Sequence, residues 1–155
     1  MPDRFPRGAG LDPQALYQEL ILDHYRRPRN RGPAEPGDAS VTRHNPLCGE
    51  ALTVSVAVAG DRVRAARFTG DACSISTAAA SMMTQAVAGR TRAEATALAR
   101  RFRAMIAGDA AAATDSALGE MRALSGVGRL PARRGCALLP WDALEAALRG
   151  EAARG

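Results

Sequence analysis

Leu52, Val54, Val56 and Val58 alternate with Thr53, Ser55 and Ala57, the period of two that sends every second side chain of a strand to one buried face. Ala59-Gly60-Asp61 then supplies a turn, and Arg62 to Thr69 reads as a second strand, less cleanly alternating but paired through a short hairpin. Upstream, Arg29 to Pro46 is broken repeatedly by glycine and proline and leaves room for one short strand near Ala39 to Thr42. The rest of the chain carries helical signals. Asp12-Pro13 reads as an N-cap followed by proline at the first helical position, opening a helix to about Arg27 with Leu16, Tyr17, Leu20, Ile21 and His24 on one face. Ser74-Ile75-Ser76-Thr77 leads an alanine- and methionine-rich helix ending at Gly89, and Arg92 to Ala107 gives another that ends at Gly108. A weaker helix covers Leu118 to Leu124. The last helix begins at Pro140, with Asp142 in its first turn and Trp141, Leu144 and Leu148 on one side. Helix, antiparallel strands, then helices predicts an α+β fold: a small antiparallel sheet of about three strands, packed by an N-terminal helix and a C-terminal set of helices.

Composition narrows what such a fold can do. With 155 residues, 46% of them hydrophobic, the chain can bury one core without disulfide staples, and no repeat or low-complexity linker divides it. One domain over 1–155 is expected, with the polar, Pro- and Gly-rich Met1 to Gly10 as a flexible N-terminus. No stretch approaches the ~18 apolar residues of a membrane span or the h-region of a signal peptide, so a soluble, cytoplasmic protein without a membrane partner is expected. A net charge of +5 and a pI near 10.0 would suit nucleic acid. The longest basic stretch, Arg26 to Arg31, merely follows a helix, however, and the other arginines are scattered among acids. One Trp, two Tyr and three Phe offer bases little to stack on, so a solvated surface and no nucleic-acid partner is the reading.

All 21 basic residues are arginine. Without lysine there is no P-loop, no pyridoxal Schiff base and no Schiff-base aldolase chemistry, and two histidines make His-based triads and multi-His metal centres hard to build. Cysteine is the main reactive group left. The three, Cys48, Cys73 and Cys136, are odd in number and form no CxxC pair, which excludes a complete disulfide framework. Extrapolating the strand period backward puts Cys48 and Glu50 on the side of Leu52 and Val54, where thiol and carboxylate can chelate one ion. Cys73 starts a helix whose unpaired N–H groups and dipole favour thiolate. Cys136 is placed in a turn just before the last helix, together with Arg133 and Arg134. By spacing alone, Cys-x24-Cys-x62-Cys is no zinc-finger signature, and three small buried hydrophobes remain the competing reading.

Four strings bear on that choice: LYQELILDHYRRPRNRG (Leu16 to Gly32), NPLCGE (Asn45 to Glu50), FTGDACSISTAAASMMTQAVAG (Phe68 to Gly89) and LPARRGCALLPWDALEAAL (Leu130 to Leu148). In content and order they resemble the NifU N-terminal/IscU family, and most of all its SufU branch, whose long interval between the second and third cysteine this chain shares. The resemblance implies a SufE/NifU-like fold and zinc held by Cys48, Cys73, Cys136 and the carboxylate after Cys48-Gly49. It also implies sulfur received from a pyridoxal-dependent, SufS-type cysteine desulfurase, with downstream cluster assembly proteins as further partners. On this reading the protein is a sulfurtransferase-like carrier rather than a stand-alone enzyme. Glu50 stands where relatives usually carry aspartate, and Gly135 where they often carry lysine or histidine; Arg133 is the expected replacement for that positive charge.

The mechanism this implies has the desulfurase dock, Cys48 leave the metal, and its thiolate attack the terminal sulfur of the partner's persulfide. Within the family the alternative is a scaffold that builds a [2Fe-2S] cluster from iron and sulfide, with the same three cysteines as ligands. From another class comes a basic nucleic-acid-binding module with incidental cysteines, which the scattered arginines argue against. His24 is expected to be a packing residue, His44 an exposed loop residue, Met82 and Met83 helix packing, and Trp141 an anchor of the last helix in the core or at a partner surface.

Overall fold

The computed structural model describes residues 13–46 and 49–150. Three strands, β1 (Ala39–Asn45), β2 (Glu50–Ala59) and β3 (Arg62–Thr69), form one antiparallel sheet in the order β1-β2-β3. The alternation in β2 works as read: Leu52, Val54 and Val56 are buried under the helices. On the opposite face the hydroxyls of Thr53 and Ser55 bond to those of Thr42 and Ser40 at 2.6 and 2.8 Å. An irregularity at Ala57/Val58 shifts the register to β3, which is why the alternation fades there. Strand β1 runs three residues beyond the expected Thr42, through Arg43, His44 and Asn45, because backbone pairing with β2 continues to Asn45↔Glu50. Those added residues are polar, and no hydrophobic alternation marks them. The free edge of β3 is met by the stretch after the first helix, where Gly32 N–H donates to Phe68 O at 2.9 Å and Phe68 N–H to Asn30 O at 3.2 Å.

Among the described residues there are five α-helices, α1 (Pro13–Arg26), α2 (Ser74–Val87), α3 (Arg92–Ile106), the single turn α4 (Ala110–Ala113) and α5 (Pro131–Leu148), of which α2 and α5 pack directly on the sheet. A 3-10 segment, Ser116–Arg129, stands where a weak helix over Leu118 to Leu124 was expected, and it is bent at Gly119 (φ 52°, ψ −130°). The start of α3 is a full capping box, Thr91 and Glu94 each bonding the other's backbone N–H. Helix α5 lies against β1, β2, α2 and α3, and its Trp141 stacks on Phe102 of α3 with ring centroids 5.4 Å apart. Trp141 is therefore a core anchor, fully buried. Met82 and Met83 are buried in the same cluster, as expected.

His24 of α1 is a packing residue with both nitrogens engaged, Nδ1 at 2.7 Å from Ser81 Oγ on α2 and Nε2 at 2.8 Å from Glu120 Oε2 on the 3-10 segment. Ser81 Oγ also accepts from Arg29 N–H at 2.8 Å, so its single hydrogen serves Nδ1 and the ring's own N–H serves Glu120. His44 is exposed, as read, but stands in strand β1 opposite Ala51 and not in a loop, because the backbone pairing with β2 runs on to Asn45. In the Arg26 to Arg31 stretch, Arg27 and Arg29 both bond Asp23. No helix among the described residues is long and apolar enough to cross a membrane.

The last helix is the main correction. It begins at Pro131, nine residues before the expected Pro140, so Arg133, Arg134 and Cys136 lie within α5 and not in a turn ahead of it. Either proline fits the rule for a helix start; Pro131 takes that place and Pro140 sits inside. An internal proline removes one helical hydrogen bond, here the one Cys136 O would accept from residue 140. That carbonyl instead accepts from Ser76 Oγ of α2 at 2.8 Å, so the break leaves no orphaned group.

Candidate metal centre

Three chain segments meet at the open end of the sheet. Glu50 opens β2 directly after a turn closed by Gly49 N–H to Asn45 O at 2.9 Å, with Gly49 at φ +67°. The strand phase survives this glycine: Glu50 is only 6% exposed and faces the helices with Leu52 and Val54. Cys73 is the N-cap residue of α2, reached through Gly70, whose φ of +131° and 2.4 Å approach of any Cβ to Ala51 O leave room for no side chain. Cys136, fully buried, comes from the second turn of α5.

The ligand atoms of Glu50, Cys73 and Cys136 lie within 4.8 Å of one another. Glu50 Oε1 accepts from Cys73 N–H at 2.9 Å and lies 3.9 Å from Cys136 Sγ, while Oε2 accepts from Ser76 Oγ at 2.9 Å. Burial raises the Glu50 pKa, but hydrogen bonds from Cys73, Ser76 and Cys136 outweigh it and hold the carboxyl below its ordinary value. Cys73 moves the other way. Burial first, then the Glu50 carboxylate, push its thiol up, against the lowering effect of Ser76 N–H. The helix start thus acts in the direction expected from the sequence, but it does not make Cys73 a thiolate on its own.

Cys48 lies outside the described residues, between Asn45 and Glu50 in the sequence. Arg133 lines, with Gly49, Glu50, Asp71, Ala72, Cys73 and Ala132, an open pocket of about 690 Å³ at the centre's mouth. Arg134 is directed elsewhere, its Nε donating to Gly128 O at 2.6 Å. Gly135 is exposed, and a Cβ there would lie 3.6 Å from Asn45 Nδ2. Two residues of the centre escape sequence reasoning. Asn45, buried at the end of β1, donates from Nδ2 to Cys136 Sγ at 3.7 Å. Ser76 Oγ lies within hydrogen-bond distance of both Glu50 Oε2 and Cys136 O, either of which can take its one hydrogen, and its place three residues after Cys73, on one helical turn, was the available signal.

Two soft sulfurs and a hard carboxylate oxygen, with Cys73 half-buried and the other two buried, beside a mouth that Arg133 lines, suit a borderline metal ion such as zinc. Comparison with known proteins points the same way. Residues 16–137 match the family described as NifU-like N terminal domain. The chain is 43% identical over 138 residues to the zinc-dependent sulfurtransferase SufU of Bacillus subtilis (strain 168), covering 88% of this chain and 90% of that protein. It is 39% identical over 137 residues to the iron-sulfur cluster assembly scaffold protein IscU of Streptococcus pyogenes serotype M1, covering 88% and 85%. Among solved structures, a NifU-like protein (N-terminal) from Brucella abortus superposes with a TM-score of 0.78 at 25% identity, covering 86% of this chain and 92% of that one.

Proposed function

Because this chain belongs to the family of NifU-like N-terminal domains, we propose that it is a zinc-dependent sulfur acceptor for a SufS-type cysteine desulfurase in iron–sulfur cluster assembly. The observation that carries this reading is the buried convergence of Glu50, Cys73 and Cys136 beneath an open mouth. Cys48, Glu50, Cys73 and Cys136 are the residues that would hold zinc. The ion, when bound, would keep the thiolates deprotonated and bring no redox chemistry of its own. Three thiolates and a carboxylate on a dication leave a net charge of minus two, and Arg133 at the pocket wall supports it electrostatically.

Cys48 is the acceptor. Its thiolate attacks the terminal sulfur of the partner's persulfide; the partner's S–S bond breaks, the partner cysteine leaves as thiolate with the electron pair, and Cys48 carries the persulfide. Cys73 and Cys136, fixed by α2 and α5, stay in place during that exchange. Cys48→Ala is expected to abolish stimulation of a SufS-type desulfurase, measured as sulfide release; undiminished stimulation would overturn the assignment. The similarity to an IscU scaffold keeps a second reading, in which the same cysteines ligate a [2Fe-2S] cluster. Protein isolated anaerobically would then be brown and pass its cluster to an apo-acceptor, whereas colourless protein with one zinc per chain favours sulfur transfer.

A further inference from the structure

Ser76 has no part in the sulfur transfer just described, yet it is a hub of the centre's hydrogen bonding. It is fully buried, with Oγ 2.9 Å from Glu50 Oε2, 2.8 Å from Cys136 O and 3.8 Å from Cys73 Sγ. A hydroxyl has one hydrogen, so Ser76 can donate to only one of the two oxygens at a time. The carbonyl it reaches is the one that Pro140 leaves without a helical donor. Glutamate, in turn, has one more rotatable bond than aspartate, and fixing it in one rotamer costs entropy.

We infer that Ser76 is a positioning residue for the Glu50 carboxylate: by holding Oε2, it turns Oε1 toward the sulfurs of Cys73 and Cys136. The inference rests on the zinc reading above and deepens it. Two anchors fix the carboxylate, Ser76 Oγ on Oε2 and Cys73 N–H on Oε1, and both come from the first turn of α2. Their rigidity follows from that helix, since Thr77 N–H bonds Cys73 O at 2.9 Å. Ser76 Oγ also lies 2.8 Å from Cys136 O of α5, so its one hydrogen passes between the carboxylate and that carbonyl, serving one at a time.

A double-mutant cycle on the full chain tests this, with zinc affinity read by competition with a chromogenic chelator and coordination by the absorption of the Co²⁺-substituted protein. Ser76→Ala is expected to weaken zinc binding about tenfold, the lower end of the range for a hydrogen bond to a charged group. It should also shift the Co²⁺ ligand-field bands while thiolate charge-transfer intensity persists. In a Glu50→Ala background the same substitution should change affinity by less than about twofold, because the group it positions is gone. An equal loss in both backgrounds would mean Ser76 only supports the fold and would overturn the inference. Pro140→Ala supplies a second variant. It gives Cys136 O its helical donor and leaves the hydroxyl to Glu50, so zinc affinity should hold or rise; a drop to the Ser76→Ala level would also overturn it. Wild-type protein that binds no zinc defeats the sulfur-acceptor reading and this inference together. Wild-type protein that binds zinc, weakens on Glu50→Ala and is indifferent to Ser76→Ala defeats this inference alone.

Discussion

His24 has both ring nitrogens committed inside the protein, joining α1, α2 and the 3-10 segment through Ser81 and Glu120. Burial, the largest influence, draws its pKa below the ordinary 6.5, and the bond to Glu120 pulls the other way without prevailing. Below about pH 6.5 the unfolded chain therefore takes up a proton that the native ring resists, so stability falls as pH drops through that value toward the lower native pKa. Urea titrations between pH 7 and 5 should show this decline, and His24→Asn, which cannot titrate, should flatten it. At this scale the sequence was informative where chemistry is local. Cysteines, the carboxylate two residues after Cys48, and a histidine on an apolar face were all legible. Asn45 was not, and Ser76 only by its place one turn after Cys73, since their partners on α5 lie 91 and 60 positions away, which no periodicity encodes.

Among the elements, the strands were the most readable, because a half-buried strand writes its face into alternate residues. The end of β1 was lost because a strand paired by backbone alone needs no such pattern, and α5 was shortened because its internal proline imitates a start. That misreading displaced Cys136 and Arg133 from helix to turn without changing their proximity to the centre. The link between β3 and α2 offers a test at the same scale. Gly70 has φ +131°, and a Cβ there would meet Ala51 O at 2.4 Å, on the strand that carries Glu50. Gly70→Ala is expected to cost about 2 kcal/mol or more, read as a lower urea midpoint, since it adds both backbone strain and a clash with a main-chain atom. Zinc affinity should fall with it, because the displaced segment holds Cys73.

Across the whole molecule, the centre joins positions far apart in the chain, with Cys136 and Glu50 separated by 86 residues. Contacts of such long range are expected to form late in folding, after the sheet and helices have docked. Zinc at a hundred times its dissociation constant is expected to add about 2.7 kcal/mol of stability. This should appear mainly as slower unfolding, with the refolding rate nearly unchanged, in stopped-flow experiments with and without the metal; a matching acceleration of refolding would show that the ligands assemble early. The same separation bears on cargo safety. No short peptide of this chain can offer the buried carboxylate and its two thiols as a set, so a copy still emerging from the ribosome or trapped half-folded has no finished receptor to present. Only completion of the tertiary structure brings the carboxylate and its two thiols into one place, so the ligand set reports on folding itself.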